Sequence, residues 1–383
     1  MITSQKHLFS LDPEITYLNN AYRGPMLKSS EEAAMQDLFK MRSPNLLKSE
    51  DFFSGVESVK SLFSNMVNCA PSQVALIPST SYGFAAVLNN WNLGKGKKAI
   101  TLKDEFPSGY FSLKRWADEH DSPLVSVGPS DLEGEIGKGW NERILEEIDQ
   151  NTGVVLISSV HWMNGVKFNL KQIGERCREV GACFIVDGTQ SVGAMPIDVQ
   201  ACQIDALICA SYKWLLGPYS MGMAYISERF DFGKPLEESW MNRTNSQNFS
   251  DLTNYQPQFL PGANRYSVGE TSYFILLPIL ERALSQLHEW KPERIQEYAG
   301  MLKNSLVSFQ VNRNLPLEMN EYTANHLFSL FLPKDQDLNQ VKILLEKERI
   351  LVSVRGTSLR ISINVFNEQR DIDHLMSVLN SSV

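Results

Sequence analysis

The most informative stretch of the sequence is Phe184-Ile185-Val186-Asp187-Gly188-Thr189-Gln190-Ser191. It predicts an apolar strand that ends at Asp187 and is followed by a turn. Lys213 comes 26 residues after Asp187 (213 minus 187), within Ser211-Tyr212-Lys213-Trp214. The lysine lies in a short turn between two apolar segments, residues 207–210 and 214–216. Open α/β sheets bind ligands at the carboxyl ends of their strands. The two stretches therefore predict that Asp187 and Lys213 face one crevice.

These two residue types are what the aldehyde cofactor pyridoxal phosphate (PLP) requires. A lysine attacks an aldehyde as a neutral amine, and apolar surroundings destabilise its ammonium form. The cofactor withdraws electrons while its pyridine nitrogen is protonated, which a nearby carboxylate ensures. Taken singly, Lys213 would be a solvated surface residue and Asp187 a turn former before glycine. Their spacing, together with the phosphate site described below, favours the cofactor.

Composition limits the remaining classes of function. A length of 383 residues suggests two or three domains, and 43% hydrophobic residues fit a soluble globular protein with a sizeable core. A formal charge of −8 without a clustered basic surface argues against nucleic-acid binding. The five cysteines include no CxxC pair, so we expect reduced core residues and no metal site. The start has no apolar signal core and no membrane-length apolar run occurs, so we expect a cytoplasmic protein.

Strand and helix patterns alternate along most of the chain. We predict strands at Val74–Pro78, Lys98–Leu102, Leu124–Val127, Gly153–Val160, Cys183–Asp187, Ala206–Cys209, Met221–Ile226, Leu327–Phe331 and Ser358–Ile363. We predict helices at Ser29–Met41, Ser49–Val67, Tyr82–Trp91, Phe111–His120, Trp140–Ile148, Leu170–Val180 and Tyr273–Trp290. Near-continuous apolar strands with intervening helices indicate an α/β fold with a mainly parallel sheet flanked by helices. We expect an N-terminal arm and large α/β domain over residues 1–262 and a smaller α+β domain over residues 263–383.

A phosphate site is predicted where a strand meets a helix, at Ser79-Thr80-Ser81-Tyr82-Gly83. Consecutive hydroxyl groups and free N–H groups at a helix start attract an anion, and the helix dipole adds to this. Ordinary helix capping by serine and threonine explains the same residues without any ligand.

Three further residues are candidates for cofactor or substrate contacts. Phe106 stands in a turn after a strand, where its ring could stack on the pyridine or could plug the local core. Gln190, three residues after Asp187, could donate to the cofactor's ring oxygen or could cap a helix. Arg360 lies in an apolar strand, where its charge needs a partner, either a substrate carboxylate or a structural acid. Arg355 and Arg23 are weaker candidates by residue type.

With these residues in view, the chain resembles the class V aminotransferase family of fold-type I PLP enzymes, which includes kynureninases, cysteine desulfurases and isopenicillin N epimerase-like proteins. The matching motifs are Tyr17–Asn20, Val186–Gly193, Ser211–Pro218 and Leu359–Ser362. The resemblance implies a seven-stranded-type sheet and a Schiff base at Lys213. It also implies that Asp187 holds the pyridine nitrogen, Gln190 lies near the phenolic oxygen and Arg360 binds the substrate carboxylate. Thr80, Ser81 and Tyr82 would hold the phosphate.

Departures from the family pattern limit which of the family's reactions this chain is expected to catalyse. Tyr212 stands where many relatives have histidine before the lysine, and it offers a phenol to the phosphate. Phe106 replaces the histidine that desulfurases place over the ring. Desulfurases also carry a nucleophilic cysteine before the last arginine strand, whereas no cysteine follows Cys209 here. A persulfide-forming desulfurase is therefore disfavoured.

The resemblance also implies a homodimer in which the neighbouring subunit closes the site. Trp240 and the turn Gly269–Ser272 fall where such a contribution would come from, although Glu270 replaces the threonine of many relatives. We therefore expect Trp240 near the cofactor of the dimer.

The leading interpretation is an aminotransferase that acts on an amino acid through Lys213. The freed lysine would remove the α-proton, Asp187 would hold the pyridinium, and Arg360 and Arg23 would bind substrate. A β-lyase, an epimerase and a kynureninase-like hydrolase share these steps, and the sequence does not choose among them. A cofactor-free α/β binding or regulatory protein is the alternative from another class.

Overall fold

The computed structural model describes residues 2–92, 96–129, 136–313, 315, 321–333 and 336–381. Its strands are β1 (Thr16–Tyr17), β2 (Val74–Ile77), β3 (Lys98–Leu102), β4 (Leu124–Val127), β5 (Thr152–Ser158), β6 (Cys183–Asp187), β7 (Ala206–Ala210), β8 (Gly222–Ile226), β9 (Leu327–Phe331), β10 (Ile350–Leu351), β11 (Ser353–Arg355) and β12 (Ser358–Ser362). Its α-helices are α1 (Lys28–Met41), α2 (Ser54–Val67), α3 (Thr80–Leu88), α4 (Pro107–Glu119), α5 (Ile136–Glu147), α6 (Leu170–Val180), α7 (Leu276–Trp290), α8 (Pro292–Asn312), α9 (Leu338–Lys347) and α10 (Gln369–Ser381).

Seven strands form the central sheet in the order β2-β8-β7-β6-β5-β3-β4. All neighbouring pairs are parallel except those of β8, which runs antiparallel to β2 and β7. The predicted α/β fold with a mainly parallel sheet flanked by helices is confirmed.

The sheet lies between two hydrophobic layers because successive strand residues point to opposite faces. On β6, Phe184 and Val186 pack into one cluster, whereas Cys183 and Ile185 pack into the other. Every residue of β5, β6 and β7 is buried, as expected for strands covered on both faces. The carboxyl ends of these strands consequently form the rim at which a site can open.

A second, antiparallel sheet of order β11-β12-β9 packs with α8, α9 and α10 around its own core. The N-terminal arm joins this region because β1 pairs in parallel with β10 and Leu18 lies in the same core. Helix α7 packs against α1 and α2 of the larger unit. The division at residue 262 stays a prediction.

Some predicted helix bounds were wrong. The helix predicted over Ser49–Val67 is split at Phe53 into a 3-10 turn, Ser49–Phe52, and α2. Helix α4 begins at Pro107, four residues before the predicted start, because proline fits the first helical turn. Helix α7 begins at Leu276 instead of Tyr273. Within the part of the chain described, no helix is long and apolar enough to cross a membrane.

Candidate active site

A cavity of about 390 Å³ opens at the carboxyl ends of the central strands. This volume lies within the range of small-molecule sites. The residues that line it come from the ends of β2, β5, β6 and β7 and from the segments that follow these strands and β3: Pro78, Ser79, Thr80, Ser81, Phe106, Ser108, Ser158, Trp162, Asp187, Thr189, Gln190, Ala210, Tyr212, Lys213, Tyr219, Ser220 and Met221. The structure thus brings Asp187 and Lys213 to one cavity.

Lys213 is a buried lysine in the turn after β7, with 7% of its surface exposed. Burial lowers the pKa of its amine to about 8, and the nearby cations Arg360 and Arg355 act in the same direction, while Asp187 opposes them. The Nζ atom lies 5.5 Å from the centre of the Phe106 ring. About a tenth of the amine is therefore neutral near pH 7.

The N-terminal arm supports the turn that carries Lys213. The Gly24 N–H donates to the Tyr212 carbonyl at 2.9 Å, and the Asn20 amide lies 3.5 Å from the Lys213 carbonyl. A Cβ atom at Gly24 would stand 2.2 Å from that carbonyl oxygen, so only glycine fits here. The arm and the lysine turn are consequently packed as one unit.

Asp187 ends β6 and is 6% exposed. Its Oδ1 accepts a hydrogen bond from the Thr189 N–H at 2.9 Å, while the Thr189 hydroxyl accepts one from the Ala210 N–H at 3.2 Å. Burial raises the pKa of the carboxyl, and hydrogen bonding to Thr189 and the charge of Lys213 lower it. A protonated ring nitrogen placed beside Asp187 would favour its charged form.

Glu105 is a second buried acid, which the sequence analysis did not single out. Its carboxylate accepts hydrogen bonds from the Ser158 N–H and the Phe106 N–H, both at 2.7 Å, and from the Ser158 hydroxyl. Burial raises its pKa to about 7, and the nearby Asp187 adds to the rise. Glu105 thereby links the turn carrying Phe106 to the end of β5. The sequence did offer a signal for this residue, because Glu105 directly precedes the aromatic Phe106 in the turn that follows a strand.

The ring of Phe106 is half-buried in the cavity wall. It meets the Trp162 ring edge-on, with centroids 5.6 Å apart. The Trp162 indole N–H donates to the Asp104 carbonyl at 2.8 Å, which fixes the tryptophan. Two aromatic rings therefore restrict this side of the cavity.

Helix α3 begins at the opposite wall. The Ser79 hydroxyl accepts from the Tyr82 N–H at 3.2 Å and lies 2.9 Å from the Ser81 hydroxyl. Thr80 and Ser81 line the cavity, whereas Tyr82 lies outside the lining and packs against the core beside α3. Hydroxyl groups at a helix start are of the kind that attracts an anion, and the Tyr82 N–H is already donated to the Ser79 hydroxyl. A phosphate role for Thr80, Ser81 and Tyr82 stays a prediction.

Gln190 is held by partners on both sides of its amide. Its nitrogen donates to the Ala21 carbonyl at 3.1 Å, and its oxygen accepts from the Trp214 indole at 2.8 Å. The Gln190 carbonyl also faces Nε2 of His326, a fully buried histidine, at 2.7 Å. One N–H of the Gln190 amide stays available for a ligand.

Arg360 extends from β12 and is 2% exposed. It donates to the Trp162 carbonyl at 2.8 Å and to the Ser353 hydroxyl at 3.3 Å, and its buried Nε has no hydrogen-bond partner. Ser353 in turn donates to Asn19 of the arm at 2.8 Å. Among the described residues no acid pairs with Arg360, so the structural salt bridge considered from the sequence is not formed there.

Trp240 and Arg23 are the remaining predicted site residues and, like Arg360, they are not among the residues that line the cavity. Trp240 is 41% exposed and meets the Phe53 and Phe249 rings edge-on. Arg23 is exposed in the arm. Tyr212 does line the cavity, against Tyr219, with ring centroids 4.7 Å apart. A role for Trp240 or Arg23 stays a prediction.

The cavity fits PLP on its own chemistry. A buried amine with a lowered pKa stands with a buried carboxylate, a flat ring and a helix start that attracts anions. These groups match an aldehyde, a pyridine nitrogen, an aromatic face and a phosphate.

Comparisons with known proteins give the same assignment. The family model described as aminotransferase class-V matches residues 46–375. The chain is 24% identical over 320 residues to the uncharacterized aminotransferase YcbU of Bacillus subtilis (strain 168), covering 83% of this chain and 81% of that protein. It is 25% identical over 274 residues to kynureninase of Sclerotinia sclerotiorum, covering 66% and 55%.

Solved structures show the same fold. The apo structure of a cysteine desulfurase from Thermococcus onnurineus NA1 superposes with a TM-score of 0.82 at 18% identity, covering 100% of this chain and 99% of that one. A C-DES mutant with glycine covalently linked to its PLP cofactor superposes with a TM-score of 0.83 at 19% identity, covering 100% of both chains. Because the family match spans most of the sequence, the chain belongs to the class-V aminotransferase family, whose members are PLP-dependent enzymes.

Proposed function

We propose that this protein is a PLP-dependent aminotransferase that converts an amino acid into its keto acid while a second keto acid receives the amino group. The observation that carries the proposal is the Lys213 amine, which is buried, has a pKa lowered to about 8 and shares a cavity with Asp187. When bound there, PLP supplies an electron sink for the α-carbon of the amino acid.

Lys213 has two roles in this proposal. Its neutral amine carries the cofactor in the resting enzyme, and once the substrate displaces it the same amine accepts the α-proton. A pKa of about 8 suits both roles, because the amine is then neither permanently charged nor too weak a base at neutral pH.

Asp187 holds the proton at the ring nitrogen. Thr189 orients the carboxylate through its N–H. Thr80, Ser81 and the start of α3 would hold the phosphate, and Phe106, which lines the cavity, would face the ring.

Arg360 binds the α-carboxylate of the substrate. Its buried Nε has no hydrogen-bond partner among the described residues, and a substrate carboxylate would bind the guanidinium and balance its charge. Fixing the carboxylate orients the bond to the α-hydrogen toward the base.

The cysteines support an aminotransferase over a persulfide-forming desulfurase. All five are buried or half-buried, and none lines the cavity. Burial raises the pKa of Cys209, which suppresses its thiolate form.

The test is to mix the purified, PLP-loaded protein with single amino acids and a keto acid, and to assay keto acid, pyruvate and the inverted enantiomer. An aminotransferase converts the added amino acid into its keto acid and the added keto acid into an amino acid, and Lys213→Ala abolishes this. Pyruvate without a second amino acid would indicate a β-lyase, and an inverted enantiomer would indicate an epimerase. Absence of any borohydride-reducible chromophore would instead indicate a cofactor-free binding protein.

We further propose a cytoplasmic homodimer whose partner subunit brings Trp240 toward the phosphate. The exposed Trp240, with the apolar face that Met35, Leu38 and Phe39 present on α1, gives the dimer a surface to bury. Sedimentation analysis tests the dimer. Trp240→Ala would then weaken cofactor binding in the dimer, although this residue lies outside the cavity of its own subunit.

A further inference from the structure

Two arginines extend from the same face of the small antiparallel sheet. Arg360 on β12 pairs directly with Ser353 on β11, and Arg355 follows Ser353 by two residues. Residues two apart on a strand share a face, so Arg355 and Arg360 are diagonal neighbours about 7–8 Å apart at the backbone. The two guanidinium groups therefore repel each other, which makes it less favourable for both to be charged.

Within the described part of the chain, neither arginine has an acidic partner. Arg360 bonds only to a carbonyl and a hydroxyl, and Arg355 donates to the carbonyl of Val354 at 2.7 Å. The Nε atoms of both are buried without a hydrogen-bond partner. Burial and the charge of Arg355 lower the pKa of Arg360 to about 10. Two uncompensated cations indicate that anionic groups arrive with a ligand.

Both arginines contact one wall residue of the cavity. Arg360 donates to the Trp162 carbonyl, and the Arg355 guanidinium lies 5.3 Å from the centre of the Trp162 ring. The charges of both arginines also lower the pKa of Lys213, although neither arginine is among the residues that line the cavity. The nearby acids Asp187 and Glu105 are already engaged, by Thr189 and by Ser158 with Phe106 respectively.

We propose that the substrate is an amino acid with an acidic side chain, whose α-carboxylate binds Arg360 and whose second carboxylate, or an equivalent acidic group, binds Arg355. The assignment rests on the proposed function, since it names the substrate of the same site. One carboxylate can satisfy one guanidinium in the bidentate manner, and the second guanidinium then requires the second anion. The Trp162 ring holds the Arg355 plane in place.

The test compares a dicarboxylate with a monocarboxylate on the PLP-loaded protein, by calorimetry with succinate and propionate. We expect succinate to bind at least about tenfold more tightly, because one charged hydrogen-bonding group adds at least that factor. Arg355→Gln should remove this preference by weakening succinate far more than propionate, whereas Arg360→Gln should weaken both ligands. Arg355→Lys should retain part of the preference. Arg370→Gln, an exposed change of the same charge on α10, is the control and should leave both unchanged.

Equal weakening of succinate and propionate by Arg355→Gln would overturn the proposal, since both arginines would then share one carboxylate. Equal binding of the two ligands by the unaltered protein would also overturn it. Amino-group transfer from aspartate, glutamate and alanine is measured in parallel. If no amino group moves but the succinate preference persists, the aminotransferase assignment fails and the two-anion site stands.

Discussion

Replacement of the buried Glu105 by glutamine should change how stability depends on pH. The pKa of this carboxyl is about 7 in the folded chain instead of the ordinary 4.5. That difference of about 2.5 corresponds to roughly 3 kcal/mol, at about 1.4 kcal/mol per pKa unit. This energy is present only in the folded chain, because burial of the carboxyl is the largest cause of its raised pKa.

The sign of the pH dependence follows from which state, folded or unfolded, holds the Glu105 proton at a given pH. Below pH 4.5 the carboxyl is protonated in both the folded and the unfolded chain, so the pKa difference has no effect. Between pH 4.5 and about 7 the unfolded chain releases the proton while the folded chain retains it, so the free energy of unfolding falls as the pH rises. Above pH 7 both states are ionised and the full loss of about 3 kcal/mol is present.

Glu105→Gln removes this titration and also disturbs the hydrogen bonds. The backbone N–H groups of Ser158 and Phe106 reach different carboxylate oxygens, and the amide offers only one acceptor oxygen. One N–H therefore loses its acceptor, at a cost of about 1–3 kcal/mol. We expect the variant to be less stable than the parent at pH 5 and to recover relative to it by roughly 2.5 kcal/mol at pH 8, because part of the parent's loss is already present at pH 5.

Urea unfolding of the cofactor-free protein, followed by circular dichroism from pH 5 to 8, measures the difference. Glu119→Gln, an exposed acid on α4, is the matched control and should show no pH-dependent difference. A difference between Glu105→Gln and the parent that stays constant from pH 5 to 8 would refute the reasoning.

Three other changes test the site. Covalent attachment of PLP to Lys213 should speed up about tenfold per pH unit up to about pH 8 and then level off, because only the neutral amine reacts. Stopped-flow absorbance measures this, and a flat profile from pH 6 to 9 would contradict it. Asp187→Asn should lower turnover by about 10²-fold or more while PLP still attaches to the lysine. Unchanged turnover would show that Asp187 does not act on the ring nitrogen. Gly24→Ala should destabilise the fold by about 1–3 kcal/mol and weaken PLP binding, because its Cβ meets the Lys213 carbonyl; urea unfolding and PLP titration check it, and parent-like values would mean that the arm moves freely.

Local sequence predicted the residues that depend on a strand and its own turn. The apolar run before Asp187 fixes a buried strand whose last residue reaches the sheet edge, and the paired register confirms that Asp187 lies beside Ser158 and Ile208. Ser79 caps α3 as a serine at that position should. Such features depend on neighbours within a few residues, which a pattern can reveal.

The sequence pattern could not predict which distant residues contact these side chains. Glu105 contacts Ser158 across 53 positions, and Arg360 contacts Trp162 across 198. The arm brings Asn19 to Ser353 across 334 positions. No local periodicity encodes which distant strand ends meet, so the buried acid and the wall tryptophan were missed.

The amino-acid order by itself determined the α/β class, the strand ending in Asp187 and the turn carrying Lys213, because hydrophobic burial and helix capping act over one or two turns of chain. Only the tertiary structure determined the lowered pKa of Lys213, the shared face of Arg355 and Arg360 and their lack of an acidic partner among the residues that the structure describes. Those properties arise from desolvation and from charges that lie close in space but far apart in sequence.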